Sequence, residues 1–326
     1  MCEKYFVDIK LFNGIKYKIF LPFSKTDYIQ RIIYESKQPY ELEMLCDMIN
    51  RISKSDNGVI VDIGMNIANH SLFFAANGFN VMAFEANEKM ISIANRSIEK
   101  NNFQDKITVF NYGISDVEEM AYFDKEYDWN YGGMRLTIDN NKKNGIQCIP
   151  LDNMYFDKQV LILKIDVEGM ELKVLKGAIK TICKYQPLIY IEGNYVADFI
   201  EIDRFLFENN YIHWDVFGES PTHLYLPIEK ANLNSAIYKC LSEIEKIKLF
   251  FTVFQQNSYI HNKLSKLDKQ YEYSEIILNN QNKDYRNTLS YMWGNRLVNS
   301  TKSLSNFFKL PYHLYRDYIY FKMLKK

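Results

Sequence analysis

The sequence predicts an α/β protein with a doubly wound central sheet that has helices on both of its faces. Short apolar runs of strand length alternate with segments of helical periodicity from residue 58 to residue 228. This alternation favours a mostly parallel sheet, because parallel strands are joined by crossover helices. The last two runs are joined by Gly218-Glu-Ser-Pro221, so we expect them to form an antiparallel edge hairpin. The seven predicted strands span residues 59–63, 80–84, 107–112, 160–165, 187–192, 211–217 and 223–226.

Two flanking segments differ from this core. In residues 1–57, alternating apolar residues surround Asn13-Gly14, which favours a tight hairpin turn, and a helix is expected from about residue 41 to 53. After residue 228 the apolar residues keep helical spacing and no catalytic motif follows. The sequence therefore predicts an N-terminal accessory element (1–57), a core domain (58–228) and a helical C-terminal extension (229–326). The accessory helix either docks on the core or serves as a lid.

An irregular insertion is predicted at residues 118–151, between the third and fourth main strands. Ligands of open α/β sheets bind beyond the carboxyl ends of the strands, where such an insertion is well placed. We expect it to shape a pocket for a second substrate. Its aromatic, glycine and basic residues are Trp129, Tyr131, Gly132, Gly133 and Arg135.

Composition narrows the function classes. The chain has 326 residues, with 40 basic and 40 acidic side chains, and this balance disfavours a general nucleic-acid-binding protein. The five cysteines show no C-x-x-C spacing, which is typical of a reducing cytosol. The sequence contains no apolar run that approaches the length of a membrane span. We therefore expect a cytoplasmic protein.

The last segment, residues 291–326, is rich in lysine, arginine and aromatic residues and contains few acids. Such a tail can lie on the anionic inner face of a membrane or bind a partner. Alternatively, it packs on the core domain or on a second copy of the chain in a homo-oligomer. Both interpretations remain open.

The most informative segment is Val59–Ser71, in which a buried strand leads through a glycine turn into a helix. Dinucleotide-binding folds use G-x-G-x-x-G here, because the glycines let a pyrophosphate approach the helix. This chain has Gly64-x-Asn66-x-Ala68 instead, which disfavours a nicotinamide enzyme. Glu85 ends the next strand, where a carboxylate can accept both ribose hydroxyls. The pattern favours a nucleoside without phosphates, such as S-adenosylmethionine, with its ammonium group at Asp62.

At this point the chain resembles the FkbM-type family of S-adenosylmethionine-dependent methyltransferases. The matching motifs occur in the family's order over roughly residues 40 to 195. Two positions depart from the pattern: Ala68 stands where the family usually has glycine, and Ala86 where proline usually follows the acid. The motifs are Asp62–Ser71, Phe84-Glu85, Asn101-Asn102, Pro150-Leu-Asp152, Lys164–Glu171, Leu175-Lys-Gly-Ala178 and Ile191-Glu192.

The resemblance implies a Rossmann-like, seven-stranded methyltransferase sheet and an O-methyltransferase. The implied acceptor is a hydroxyl of a sugar or nucleotide sugar for surface polysaccharide. Asn66 is expected to contact the methionine portion of the cofactor, and Asp116 either lies near adenine or is a turn residue. Two alternatives remain: a non-sugar small-molecule acceptor, or a non-catalytic scaffold of a glycan pathway.

The candidate catalytic residues follow the fourth and fifth predicted strands. Asp166, Glu168 and Glu192 are expected to converge near the transferred methyl group, where they would remove the acceptor's proton. Because three carboxylates in one cleft repel one another, either a bound proton or a divalent cation such as Mg²⁺ would relieve the repulsion. His70 either touches the acceptor or packs within its helix. Lys164 is expected to form an ion pair with Asp166.

Overall fold

The computed structural model describes residues 3–12, 14–123, 136–139, 145–218 and 220–231. Within these residues the predicted α/β class is confirmed. The glycine-rich part of the predicted insertion, with Trp129 and Arg135, lies outside the described residues, as do the predicted C-terminal helices and basic tail. Among the described helices, none is both long and apolar enough to cross a membrane.

The described residues form thirteen strands and seven α-helices, together with 3₁₀ turns at Glu3–Tyr5, Lys54–Asp56 and Leu151–Asn153. The strands are β1 Phe6–Lys10, β2 Lys16–Phe20, β3 Gly58–Ile63, β4 Asn80–Phe84, β5 Ile107–Phe110, β6 Gly113–Ile114, β7 Glu119–Phe123, β8 Leu136–Ile138, β9 Ile146–Ile149, β10 Gln159–Ile165, β11 Leu188–Glu192, β12 Tyr211–Phe217 and β13 Thr222–Pro227. The helices are α1 Tyr28–Ser36, α2 Leu42–Asn50, α3 Asn69–Ala76, α4 Glu88–Lys100, α5 Glu171–Gly177, α6 Ile179–Tyr185 and α7 Val196–Glu208.

The large sheet contains seven described strands in the order β12-β13-β11-β10-β3-β4-β5. Strands β11, β10, β3, β4 and β5 are parallel, whereas β13 runs antiparallel to both β11 and β12. Every residue of β3 and of β11 is buried, because helices cover both faces of the sheet. The chain moves outwards from β3 to β5 and then returns to the other side of β3 as β10. This reversal creates a crevice at the carboxyl ends of β3 and β10.

A second, four-stranded sheet has the order β6-β9-β7-β8. Strands β7, β8 and β9 lie in the segment that we predicted to be irregular, so that prediction was wrong for its described parts. The predicted third strand also ends earlier, at Phe110 rather than at residue 112. The sequence signal was weak because the strands of this sheet are only two to five residues long.

The N-terminal hairpin forms as predicted, with β1 and β2 antiparallel. Its side chains share one hydrophobic core with the large sheet: Ile9 and Ile19 belong to the same cluster of buried residues as Ile60 and Phe73. A buried polar contact adds to this packing, since the Tyr190 hydroxyl of β11 donates to Asp47 Oδ2 of α2 at 2.6 Å. Helix α1 was not predicted.

The loop after β3 has an unusual backbone. Gly64 has φ +81°, and a Cβ atom at this position would lie 1.7 Å from the Asp166 carbonyl oxygen. Ala68 has φ +65°, in the left-handed region that glycine adopts without a steric penalty. Thus only glycine fits at position 64, and glycine would also be favoured at position 68.

We expect Ala68→Gly to stabilise the protein by up to about 1 kcal/mol, because it removes the steric cost of a left-handed alanine and offsets glycine's greater entropy when unfolded. The matched control is Ala75→Gly within α3, where glycine should cost about 1 kcal/mol. Urea denaturation of both variants measures the difference. Equal destabilisation by the two substitutions would contradict this account of the loop.

Candidate functional site

A cavity of about 300 Å³ opens at the carboxyl ends of the central strands. Its polar lining comes from segments that follow neighbouring strands or end them: Gly64 and Asn66 after β3, Glu85 after β4, Asp166 and Glu168 after β10, and Glu192 at the end of β11. Parallel strands direct these segments to one edge of the sheet. The structure therefore brings together six of the predicted site residues.

One wall of the cavity is apolar and aromatic. Phe84, Met90, Tyr112 and Ile114 line it, and the Phe84 ring stacks on Phe110 with a centroid distance of 5.0 Å. This wall lies next to Glu85, so an aromatic base and a ribose could be held side by side. Tyr28, Tyr40 and Glu41 of the N-terminal element also line the cavity.

Glu85 holds in place the loop between β3 and α3, which we call the β3–α3 loop (residues 64–68). Its Oε2 accepts a hydrogen bond from the Asn66 N–H at 2.7 Å, and its Oε1 accepts one from the Asn87 N–H at 2.8 Å. Burial raises the pKa of this carboxyl, although the two backbone hydrogen bonds oppose the shift. Each oxygen retains a lone pair that can accept a further hydrogen bond. The Glu85 carboxylate can therefore order the loop and bind a ligand at once.

Lys164 is a buried cation at the centre of the site. Its Nζ lies 3.3 Å from Asp62 Oδ1, 3.3 Å from Asp166 Oδ2 and 3.0 Å from the Gly64 carbonyl oxygen. Burial lowers the pKa of Lys164, but the nearby carboxylates outweigh burial and the pKa is raised overall. The predicted ion pair with Asp166 is confirmed, and Lys164 also contacts Asp62 and the Gly64 carbonyl of the β3–α3 loop.

We expect Lys164→Met to destabilise the protein by about 3–5 kcal/mol, because it leaves the fully buried Asp62 carboxylate without its cation. The control is Lys173→Met, which removes a 41% exposed lysine 3.1 Å from Glu119 and should cost less than about 1 kcal/mol. Chemical denaturation measures both. Adding Asp62→Asn to Lys164→Met should recover part of the loss, and similar costs for the two lysines would contradict this electrostatic account.

The predicted catalytic acids form a cluster. Asp166, Glu168 and Glu192 each present a carboxylate oxygen, and these oxygens lie within 4.8 Å of one another. Glu168 has φ +52°, a conformation continued by Gly169 at φ +98°. Glu192 is only 8% exposed, and burial together with the charges of Asp166 and Glu168 raises its pKa to about 9. The convergence expected of these three residues is present.

Four predicted site residues do not line the cavity: Asp62, Ala68, His70 and Asp116. Asp62 is fully buried, and its Oδ2 accepts a hydrogen bond from Ser71 Oγ at 2.6 Å. Lys164 lies against the other oxygen of Asp62, Oδ1. Asp62 therefore orders the loop through its contacts with Ser71 and Lys164 and does not face the cavity.

The surroundings of His70 and Asp116 favour their non-catalytic alternatives. His70 is buried, with Nε2 3.0 Å from Glu41 Oε2, so it positions a cavity-lining acid. Asp116 accepts a hydrogen bond from Ser115 Oγ at 3.2 Å and lies 4.0 Å from Lys173, outside the cavity lining. Its contacts are those of a turn residue.

Sequence reasoning missed several lining residues, chiefly Tyr28, Tyr40, Glu41 and Tyr112. Glu41 has φ +59°, and the Glu41 and Tyr40 positions belong to no motif. These residues reach the cavity through the packing of the N-terminal element on the sheet. Tyr112 could have been found, because it lies two residues after β5, the strand next to β4.

A pair of histidines lies beside the acidic cluster. His213 Nε2 and His223 Nδ1 are 3.0 Å apart, and both side chains are buried. His223 packs on Phe199 with a centroid distance of 4.3 Å. Burial, and then the charge of His213, lowers the pKa of His223 to about 3. His223 is therefore neutral at physiological pH and acts in packing.

Because the pKa of His223 falls from about 6.5 to about 3 on folding, the folded state resists its protonation. The contribution of neutral His223 to the free energy of unfolding is fully present above pH 6.5, and it is lost as the pH falls towards 3. We expect His223→Gln to reduce the acid-dependent loss of unfolding free energy by roughly 2–3 kcal/mol between pH 6.5 and 4. Denaturation curves across this range test the idea, and parallel profiles for variant and wild type would refute it.

The chain is similar in part to known proteins. Residues 62–212 match the family model for the methyltransferase FkbM domain. The chain is similar to the crystal structure of methyltransferase FkbM from Methylobacillus flagellatus KT, with 21% identity, a TM-score of 0.41, and coverage of 52% of this chain and 44% of that protein. It thus spans less than half the length of that relative.

Two further structures are similar over parts of the chain. Precorrin-6y C5,15-methyltransferase from Geobacter metallireducens GS-15 shares 13% identity with a TM-score of 0.37, and the match covers 56% of this chain and 85% of that one. The tRNA (uracil-54, C5)-methyltransferase of Pyrococcus abyssi, in complex with S-adenosyl-L-homocysteine, shares 16% identity with a TM-score of 0.35, covering 68% and 42%. No curated protein sequence matches the chain significantly.

Proposed function

We propose that this chain methylates a hydroxyl group with S-adenosylmethionine as the donor. The proposal starts from the match of residues 62–212 to the family model for the methyltransferase FkbM domain. The single observation that carries the proposal is that one cavity holds both the β3–α3 loop with Glu85 and the cluster of Asp166, Glu168 and Glu192. Binding and proton-transfer groups thus face the same space.

The residues of the cavity fit the donor. Glu85 offers carboxylate oxygens for the ribose hydroxyls, while Phe84, Met90 and Tyr112 provide an apolar wall for adenine. Gly64 and Asn66 place the loop backbone where the methionine portion would lie, and glycine allows close approach. When bound, the cofactor supplies an electrophilic methyl group. Asp62 supports this binding indirectly, through the loop.

The acidic cluster would dispose of the acceptor's proton. In the proposed reaction the acceptor oxygen would bond to the methyl carbon as the carbon–sulfur bond breaks, and a carboxylate of the cluster would accept the hydroxyl proton. Attack must be collinear with the breaking bond, so the walls of the cavity contribute by orienting the acceptor. His70 contributes only by positioning Glu41.

The charge of the cavity narrows the acceptor class. Among its described lining residues are five acids, Glu41, Glu85, Asp166, Glu168 and Glu192, and no lysine or arginine. Phosphate groups would be repelled from this lining, whereas neutral hydroxyls would find hydrogen-bond acceptors. We propose a neutral sugar ring as the group bound beside the cluster, with the nucleotide of a nucleotide sugar outside it. The surface-polysaccharide pathway is proposed from the family resemblance.

We expect Glu85→Gln to weaken S-adenosylmethionine binding by about 10- to 100-fold, because an amide replaces a charged acceptor that also holds the loop. The matched control is Glu88→Gln, an exposed acid at the start of α4 outside the cavity lining, which should bind as wild type does. Calorimetric titration with the cofactor measures both affinities. Equal affinity in Glu85→Gln and wild type would remove Glu85 from the binding site.

Turnover tests the acceptor class. The protein is incubated with methyl-labelled S-adenosylmethionine and a panel of neutral sugars, nucleotide sugars and non-sugar alcohols. Label in a sugar hydroxyl, lost in Asp166→Asn while the cofactor still binds, supports the proposal. Label only in non-sugar alcohols favours the small-molecule alternative, and cofactor binding without transfer to any acceptor favours the scaffold.

A further inference from the structure

The acidic cluster contains an oxygen atom whose burial needs an explanation. Glu192 is 92% buried, and its Oε2 has no hydrogen-bond partner among the described residues although it is removed from solvent. Burying a carboxylate oxygen without a partner is costly. Glu192 lines the cavity together with Asp166 and Glu168, so the buried carboxylate belongs to a residue at the edge of the space that these acids share.

The neighbouring charges do not neutralise this cluster. Lys164 Nζ lies 3.3 Å from Asp166 Oδ2, but it lies equally close to Asp62 Oδ1 and thus serves two carboxylates. Among the described residues, no lysine, arginine or histidine lies within 4.0 Å of the Glu192 carboxylate. A positive ligand would therefore be attracted to the Glu192 side of the cluster.

We propose that Asp166, Glu168 and Glu192 form a binding site for a hard divalent cation of the Mg²⁺ and Mn²⁺ class. Carboxylate oxygens are the ligands that these cations prefer, and one carboxylate oxygen from each of the three residues lies within 4.8 Å of the other two. With metal–oxygen bonds of about 2.1 Å, the oxygens of an octahedral site lie about 3.0 Å (cis) or about 4.2 Å (trans) apart, so side-chain rotations would bring the three acids into range.

The cation would occupy the acceptor side of the cavity. An octahedral ion held by three protein oxygens keeps open positions for water or for substrate oxygens. A sugar offers two neighbouring hydroxyls that can fill adjacent positions, and binding to the cation lowers the pKa of a hydroxyl. This consequence for methylation rests on the proposed function, whereas the cation site itself stands on the geometry of the three carboxylates.

The alternative occupant of the cluster is a proton shared between two carboxyl groups. A shared proton would satisfy Glu192 without a metal, and the protein would then bind divalent cations only weakly and without stoichiometry. Direct binding measurements on the full chain separate these cases.

The test uses the 326-residue chain after treatment with a chelator. One titration adds Mn²⁺ and measures binding as the loss of the paramagnetic resonance signal of the free ion. A second titration adds MgCl₂ and measures binding by calorimetry. We expect one cation per chain in the wild type and at least about tenfold weaker binding in both Glu192→Gln and Asp166→Asn. Glu41→Gln is the matched control, because Glu41 lines the same cavity outside the cluster. It should bind within about twofold of wild type. Thermal melts verify that each variant is folded.

Three results would overturn the proposed cation site. The first is no stoichiometric binding at millimolar Mn²⁺, and the second is undiminished cation binding in folded Glu192→Gln. The third is a loss of cation affinity in Glu41→Gln as large as in the cluster variants, because that loss would indicate general charge attraction. A parallel titration with S-adenosylmethionine in the presence of chelator keeps the two proposals apart. Cofactor binding without cation binding would contradict only the proposed metal site. Cation binding without cofactor binding would contradict only the proposed function.

Discussion

The buried ammonium group of Lys164 is the interaction on which the site depends. It joins the Asp62 carboxylate of β3, the Gly64 carbonyl of the β3–α3 loop and the Asp166 carboxylate after β10, at distances of 3.0–3.3 Å. A lysine that is 3% exposed is tolerated only because these partners compensate for its desolvation. The same three contacts fix the β3–α3 loop relative to the acidic cluster, so the charge balance that stabilises the fold also sets the geometry of the cavity.

Close approach of two backbones reinforces this arrangement. Strands β3 and β10 are parallel neighbours, and at their ends Gly64 lies so near the Asp166 carbonyl that no side chain would fit. The chain reverses its direction across the sheet at this point, which opens the crevice between the loops. Glu85 closes the other side by accepting hydrogen bonds from Asn66 and Asn87. The proposed donor and acceptor sites are therefore built on rigid strand ends.

Sequence reasoning succeeded where one local pattern carries one structural meaning. The apolar runs 160–165 and 187–192 predicted buried strands, and the acids at their ends were correctly expected to lie close together, because parallel strands end at the same edge of the sheet. It failed for the small sheet around β7, whose short strands give little periodicity. It also did not show that the Asp62 carboxylate turns towards Ser71 and Lys164, since a motif identifies an acid but does not say which way its carboxylate points.

The sequence by itself determined the α/β class, the positions of the main strands and four of the five acids in the cavity lining, because hydrophobic periodicity and glycine turns act over a few neighbouring residues. Only the tertiary structure decided which of these acids face the cavity. Asp62 turns inward to Lys164 and Ser71, whereas Glu41, far away in the chain, reaches the lining through the packing of the N-terminal element. Such choices depend on burial and on partners distant in sequence, which a local pattern does not contain.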